Sequence, residues 1–359
     1  MKRKAFINNI LALSLSTLNG KESRKMMMPI ATSYTSNPDL KTILEGWKGT
    51  PLDQDGRFIN HQFPFVHRFG TVLKWMLETN PQKAEKKADT WQKQVLQNTD
   101  FLDYQADCIV WLGHASFYIQ LAGKKILIDP VFEGVTATKR LTKLPVDKAS
   151  FKDIDYVLVS HSHYDHCDKD SLKLLAKLNP KAQFFAGLKL NTLIEKWIGR
   201  PVQTAGWYQE YKTDDNVQLF FVPSRHWSNR SLGDINETLW GGFVLKSDNK
   251  TLYFGGDSGY GNHFEQIGKL FPNLDVAMIG AGAYSPKWFM APNHQDPADA
   301  LIAFKDTKAK ALIPFHYGTF DVSDEPISEA EKLLNQGAVS MKISEKLKLL
   351  NLGQIYNFS

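Results

Sequence analysis

From Asp107 onward, short apolar runs alternate with stretches whose apolar positions recur at helical spacing. Cys108–Leu121, Lys125–Asp129, Tyr156–Ser160 and Gln183–Ala186 read as buried strands, as do Val217–Val222, Thr251–Gly255, Val276–Gly280 and Ala311–Pro314. Ser171–Leu178 and Leu190–Ile198 have the pattern of amphipathic helices. Asp296-Pro297 reads as an N-cap followed by a proline in the first helical turn. Ahead of this region the pattern weakens. Residues 26–62, with Pro29, Pro38 and Pro51, read as an extended arm, and Val66–Leu77 and Pro81–Leu96 as two helices. The alternation predicts an α/β fold, organised as a tail (1–25), an arm with helices (26–100) and a catalytic domain (101–359).

The 359 residues are 43% hydrophobic and 12% aromatic, enough to build a large core. The two cysteines, Cys108 and Cys167, cannot form a disulfide framework. Charge is informative once it is located. Residues 1–25 hold six bases and one acid, so the net +5 of the chain resides in the tail, leaving 37 bases against 37 acids elsewhere. A neutral body argues against a nucleic-acid partner. Lys2, Arg3 and Lys4 precede a mostly apolar run, Ala5–Leu18, which Asn8 and Asn9 interrupt. That outline reads equally as a secretory signal and as an uncleaved basic tail, leaving cytoplasmic, membrane-associated and envelope locations open.

Three of the ten histidines fall within six residues, His161-Ser-His163-Tyr-Asp165-His166. The apolar run Tyr156–Val159 places this cluster at a strand exit. Residues i and i+2 of an extended chain point the same way, so His161 and His163 suit one metal ion. The tighter turn behind them can aim Asp165 and His166 at a second. Imidazole nitrogen and carboxylate oxygen are zinc ligands, and iron or manganese accept similar sets. His226, Asp257 and His316 each follow an apolar run. Each alone is an ordinary polar residue at a sheet end, but together they complete two sites with a carboxylate available to bridge.

The order HxHxDH, then His226, Asp257 and His316, resembles the metallo-β-lactamase superfamily. More narrowly, Trp111–Ser116, Leu239–Gly242, Gly255–Tyr260, Gly282–Met290, His294–Pro297 and His316–Phe320 resemble the zinc phospholipase D family that hydrolyses N-acyl phosphatidylethanolamines. The resemblance runs from about Gly49 to Phe320. It implies an αβ/βα sandwich, two mixed sheets flanked by helices, with an N-terminal extension. It also implies that His161, His163 and His226 bind one zinc, that Asp165, His166 and His316 bind the other, and that Asp257 bridges. The implied reaction is attack on phosphorus by a hydroxide generated between the ions.

His114 suits a hydrogen bond to a ligand or to the backbone, and equally a structural turn. Cys167 reads as packing. His294 stands just before the helix that Asp296 would cap, where free backbone N–H groups favour an anion. The resembling family has a functional histidine here, so His294 is a candidate to orient or protonate a phosphodiester. Tyr164, Tyr284, Trp288 and Tyr317 are candidates for the pocket wall. His61, His67 and His263 carry no comparable context. A phospholipid or another phosphodiester is the expected substrate, with peripheral membrane contact through the tail and an oligomeric state left open. Two alternatives remain: a hydrolase of the same fold acting on a lactone, cyclic phosphodiester or other non-lipid substrate, which would share every ligand, and a non-catalytic metal-dependent lipid- or envelope-binding protein, against which the complete ligand set argues.

Overall fold

The computed structural model describes residues 30–358 apart from 61, 64–68, 136–137, 214–215 and 232. The basic tail, His61, His67 and the start of the helix expected at Val66–Leu77 lie outside the described residues. The arm contributes β1 (Ser33–Thr35), β2 (Lys41–Thr42) and β3 (Thr50–Leu52). A first group of strands follows: β4 (Cys108–Gly113), β5 (Ser116–Leu121), β6 (Lys124–Ile128), β7 (Tyr156–Val159), β8 (Gln183–Gly187) and β9 (Gln203–Ala205). The second group is β10 (Gln209–Glu210), β11 (Gln218–Val222), β12 (Gly242–Lys246), β13 (Thr251–Phe254), β14 (Val276–Gly280) and β15 (Ala311–Phe315). β16 (Ile355–Asn357) returns to pair with β4.

Among the described residues β1 and β3 pair as a two-stranded sheet, and the other strands form two seven-stranded sheets, ordered β16-β4-β5-β6-β7-β8-β9 and β15-β14-β13-β12-β11-β10-β2. Both are mixed: β4-β5-β6 and β11-β12-β13 are antiparallel, whereas β6-β7-β8-β9 and β13-β14-β15 are parallel. Strands covered on both faces need apolar residues at every position, which is why they appear in the sequence as unbroken runs. Alternation survives in where each side chain goes. Ile109 and Trp111 of β4 enter the core shared with the second sheet, whereas Cys108, Val110 and Leu112 face the helices outside the first.

The helices are α1 (Phe69–Leu77), α2 (Lys83–Ala88), α3 (Lys169–Leu178), α4 (Asn191–Ile198), α5 (His263–Leu270), α6 (Lys287–Met290), α7 (Pro297–Thr307) and α8 (Glu329–Ser340). Leu172, Leu175 and Ile194 seat α3 and α4 on the first sheet, and Phe264, Ile267, Leu301 and Phe304 belong to the core of the second. None of the described helices is long and apolar enough to cross a membrane.

Two expected elements need correction. Cys108–Leu121 is not one strand but a hairpin that turns at His114–Ala115. Gly113 (φ 111°) and His114 (φ 51°) adopt left-handed backbone there, and a glycine Cβ would fall 2.6 Å from the Arg140 guanidinium. The helix expected at Pro81–Leu96 covers only Lys83–Ala88. Asp89 ends it, its carboxylate accepting from the Trp91 and Ser328 amides, and the chain then runs extended with Val95 bridging to Leu352. The arm, for its part, is built into the fold. β2 pairs with β10 at the edge of the second sheet, Phe58 is fully buried, and Asn60 Nδ2 donates to the His226 carbonyl at 2.6 Å.

Candidate metal centre

Strands of both sheets release their chain at a common edge, and the chemistry gathers there. Asp129 follows β6, Ser160 to His166 follow β7, His226 follows β11, Asp257 follows β13 and His316 follows β15. The β4–β5 turn adds His114, and the segment between α6 and α7 adds His294. Among the described residues, four subsets place ligand atoms within 4.8 Å of one another: His161/His163/His226, His114/Asp165/His166/His316, Asp129/His161/His166 and His226/Asp257/His294.

Asp257 joins the subsets. Its Oδ2 lies 3.1 Å from Nε2 of both His166 and His316, 3.9 Å from His161 Nε2, 3.8 Å from His226 Nε2 and 3.9 Å from His294 Nδ1. Asp165 Oδ2 stands 3.8 Å from His166 Nε2 and 3.7 Å from His316 Nε2. On the other side His163 Nδ1 is 2.9 Å from His161 Nε2 and 3.1 Å from His226 Nε2.

The outer hydrogen bonds fix which ring nitrogens carry lone pairs. Ser160 Oγ donates to Asp129 Oδ2 (2.6 Å), so it must accept from His161 Nδ1 (2.9 Å), leaving the His161 Nε2 lone pair facing inward. His166 Nδ1 donates to Asp129 Oδ2 at 2.8 Å, and His226 Nδ1 donates to the Asn293 carbonyl at 3.0 Å, with the same consequence. Lone pairs converging at about 3 Å repel unless a cation or proton lies among them. His316 Nε2, His166 Nε2 and Asp257 Oδ1 are buried without a hydrogen-bond partner. This donor set fits metal ions.

Electrostatics agree with that fit. Burial lowers the pKa of His161 and His226 well below the usual range, and of His163 to about 4 and His114 to about 3. His166 and His316 move the other way. Burial opposes their charge, but Asp257 and Asp165 outweigh it and raise His316 to about 9. Burial likewise opposes charge on Asp165 and Asp257, yet the adjacent imidazoles hold both well below the carboxylate range. The pocket therefore keeps its carboxylates ionised and demands positive charge beside them.

His114 Nε2 hydrogen-bonds Asp165 Oδ2 at 2.9 Å, holding that carboxylate from behind. Cys167 is buried against the outer helices. α7 begins after its N-cap Asp296, whose own carboxylate occupies the helix end by accepting from Asp299 N. His294 accordingly does not serve a helix-bound anion. It faces the centre, its ring 5.2 Å from those of His226 and His316.

A narrow cavity of ≈ 110 Å³ opens over the cluster, walled by Tyr164, Trp227, Arg230, Met290, His294 and Val322. Of the four expected wall aromatics only Tyr164 is there, its hydroxyl donating to the Arg230 carbonyl and its ring under the Arg230 guanidinium. Tyr284 instead donates to Glu329 on α8, and Tyr317 points to Glu331 while packing on Trp111. Trp288 is 41% exposed and is held by Lys74 of α1 and by Glu78 just past its end. Each of the three found a partner on a helix distant in sequence. Sequence reasoning missed Asp129, Asn60, Trp227 and Arg230. Only Trp227 carried a local signal, as the neighbour of His226.

Residues 124–317 match the family model described as a beta-lactamase superfamily domain. The chain is 31% identical over 249 residues to the N-acyl-phosphatidylethanolamine-hydrolyzing phospholipase D 1 of Caenorhabditis elegans, covering 63% of this chain and 69% of that one. It is 30% identical over 239 residues to the mitochondrial enzyme of that name from Saccharomyces cerevisiae, spanning 62% of this chain but only half of the yeast protein. A metal-dependent hydrolase of Pyrococcus abyssi is 30% identical over 244 residues, 67% of this chain and 99% of that protein. Among solved structures, the metallo hydrolase Igni18 of Ignicoccus hospitalis superposes with a TM-score of 0.55 at 22% identity, covering 70% of this chain and 98% of that one. With the converging histidines and shared carboxylate, these similarities place the chain in the beta-lactamase superfamily, as a metal-dependent hydrolase with N-acyl-phosphatidylethanolamine-hydrolyzing phospholipases D among its homologues.

Proposed function

We propose that this protein is a dinuclear zinc phosphodiesterase of phospholipase D type, acting on N-acyl phosphatidylethanolamine-like phospholipids. One observation carries the reading: two separate donor triads face a single carboxylate oxygen, Asp257 Oδ2. His161, His163 and His226 would hold one ion and Asp165, His166 and His316 the other, with Asp257 shared. When bound, the pair supplies Lewis acidity toward phosphoryl oxygens and lowers the pKa of water.

The chain's own residues do the rest. Asp129 and Ser160 keep the His161 and His166 lone pairs aimed inward, and Asn293 does so for His226. His114 holds Asp165. His294, on the cavity wall beside Asp257, orients the phosphoryl group or protonates the departing alkoxide. Arg230 adds positive charge to the wall, and Trp227 and Met290 add apolar surface for the lipid. The similarity to lipid-hydrolysing homologues supports the substrate class.

The test is incubation with a total phospholipid extract in heavy-oxygen water, followed by mass spectrometry. N-acylethanolamine should appear together with phosphatidate carrying the heavy oxygen, because attack is at phosphorus. Label in the released alcohol would overturn attack at phosphorus, whereas no lipid product beside chelator-sensitive hydrolysis of bis-p-nitrophenyl phosphate would reject the phospholipase reading and leave another metal-dependent hydrolase.

A further inference from the structure

A second cavity, of ≈ 470 Å³, shares the Pro223–Arg225 segment that leads into His226. Its size is that of ordinary small-molecule sites. Leu44 and Trp47 of the arm, Phe63, Trp207, Tyr208 and Leu270 of α5 give it an apolar, largely aromatic wall.

Most polar groups lining it are already engaged. Gln266 accepts from the Tyr208 hydroxyl at 3.2 Å, and His263 Nε2 is 3.0 Å from Ser258 Oγ. Lys269 pairs with Glu265 at 2.7 Å. Asn60 donates to the His226 carbonyl and accepts from Trp240 Nε1. Two neighbours have side chains with no side-chain hydrogen-bond partner among the described residues. Ser224 is 3% exposed, and its Oγ is buried without a hydrogen-bond partner. The half-buried Arg225 guanidinium donates to the Tyr260 carbonyl at 2.8 Å and stacks 4.6 Å from the Phe63 ring centroid, while its charge partner, Asp299, acts from beyond ion-pair distance.

A buried unpartnered hydroxyl and a guanidinium with no carboxylate contact among the described residues, both lining one cavity, supply donors suited to a carboxylate. Leu44, Trp47, Phe63, Trp207 and Leu270 offer apolar contact along the rest of the wall, with Gln62 and Lys269 as its further polar residues. We propose that this cavity is a second ligand site taking an unbranched long-chain carboxylate, its head on Arg225 and Ser224 and its hydrocarbon along Trp47, Leu44 and Leu270. The inference does not rest on the phosphodiesterase reading.

The test uses the full-length protein and a dibrominated stearic acid, whose bromines quench tryptophan fluorescence on contact. Quenching should saturate. It should shrink in Trp47→Phe and persist in Trp227→Phe, whose tryptophan lines the catalytic cavity instead. The methyl ester, unable to meet Arg225 as an anion, should bind at least about tenfold more weakly to the unaltered protein, the scale of a lost charge-assisted hydrogen bond. Arg225→Gln should abolish that difference. Absence of saturable quenching, equal binding of acid and ester, or quenching that survives Trp47→Phe and disappears in Trp227→Phe would overturn the proposal. The acid–ester comparison stands even if Arg225→Gln fails to fold.

Discussion

Asp257 Oδ2 within 3.9 Å of five imidazoles makes one oxygen the hub of the site. His114 acts one step further out, through Asp165. Removing such an outer contact costs about 10–100-fold in metal affinity or activity. His114→Ala should fall in that range, and Asp257→Asn should lose more, together with metal content measured by elemental analysis. Equal losses would show that Asp257 is not the shared ligand. His294→Ala should keep its metals while turnover falls by ~10²–10⁴, the range for a lost general acid or base. If His294 protonates the leaving group, the loss will be large on a lipid and small on a nitrophenyl ester, whose leaving group needs little protonation. Equal losses on both mean that it clamps the phosphoryl group, and unchanged rates on both would remove it from the mechanism. The HxHxDH cluster was legible because its candidate ligand atoms are set by spacing along one strand exit. Asp129 and Asn60 were not, because their roles arise from contacts 37 residues away to His166 and 166 residues away to His226.

Strand exits carry every candidate ligand, so the backbone between strand and ligand must hold its shape. Gly256, just before Asp257, has φ +60°, and an added Cβ would lie 2.4 Å from the Gly241 carbonyl oxygen. Gly256→Ala should therefore destabilise the fold by about 2 kcal/mol or more and displace Asp257, lowering metal content as well as the unfolding temperature. A variant with normal metal content and unfolding temperature would show that this turn relaxes without moving the carboxylate. The doubly covered strands were legible as apolar runs, since burial on both faces writes itself into consecutive residues. The short strands β2, β10 and β16 were not, because two or three residues carry no period. Tyr284, Trp288 and Tyr317 show the converse limit. Their nearness to the ligands in sequence did not determine the direction of their side chains, which partners on α1 and α8 decided.

At the scale of the molecule, the centre is built from both sheets, so metal binding should couple to global stability. An ion that binds only the folded chain adds about 3–4 kcal/mol at 100–1,000 times its Kd. Chelation should lower the unfolding temperature and zinc should restore it; an unchanged transition would separate the centre from the fold's stability. Charge is distributed on the same scale, but unevenly. The body outside residues 1–25 balances 37 bases with 37 acids, while the tail holds six bases and one acid. A lipid substrate requires the enzyme at an anionic surface, where each well-placed Lys or Arg contributes about 1 kcal/mol. Deleting residues 1–25 should leave hydrolysis of a soluble diester unchanged and weaken action on anionic vesicles. Raising salt should reproduce the deletion in the intact chain, since ~0.15 M ionic strength already screens charges beyond about 8 Å. Neutral vesicles supply the control, because the electrostatic contribution vanishes there and the two forms should converge. A truncated protein as active as the intact one on anionic vesicles at low salt would show that the tail plays no part in reaching the substrate.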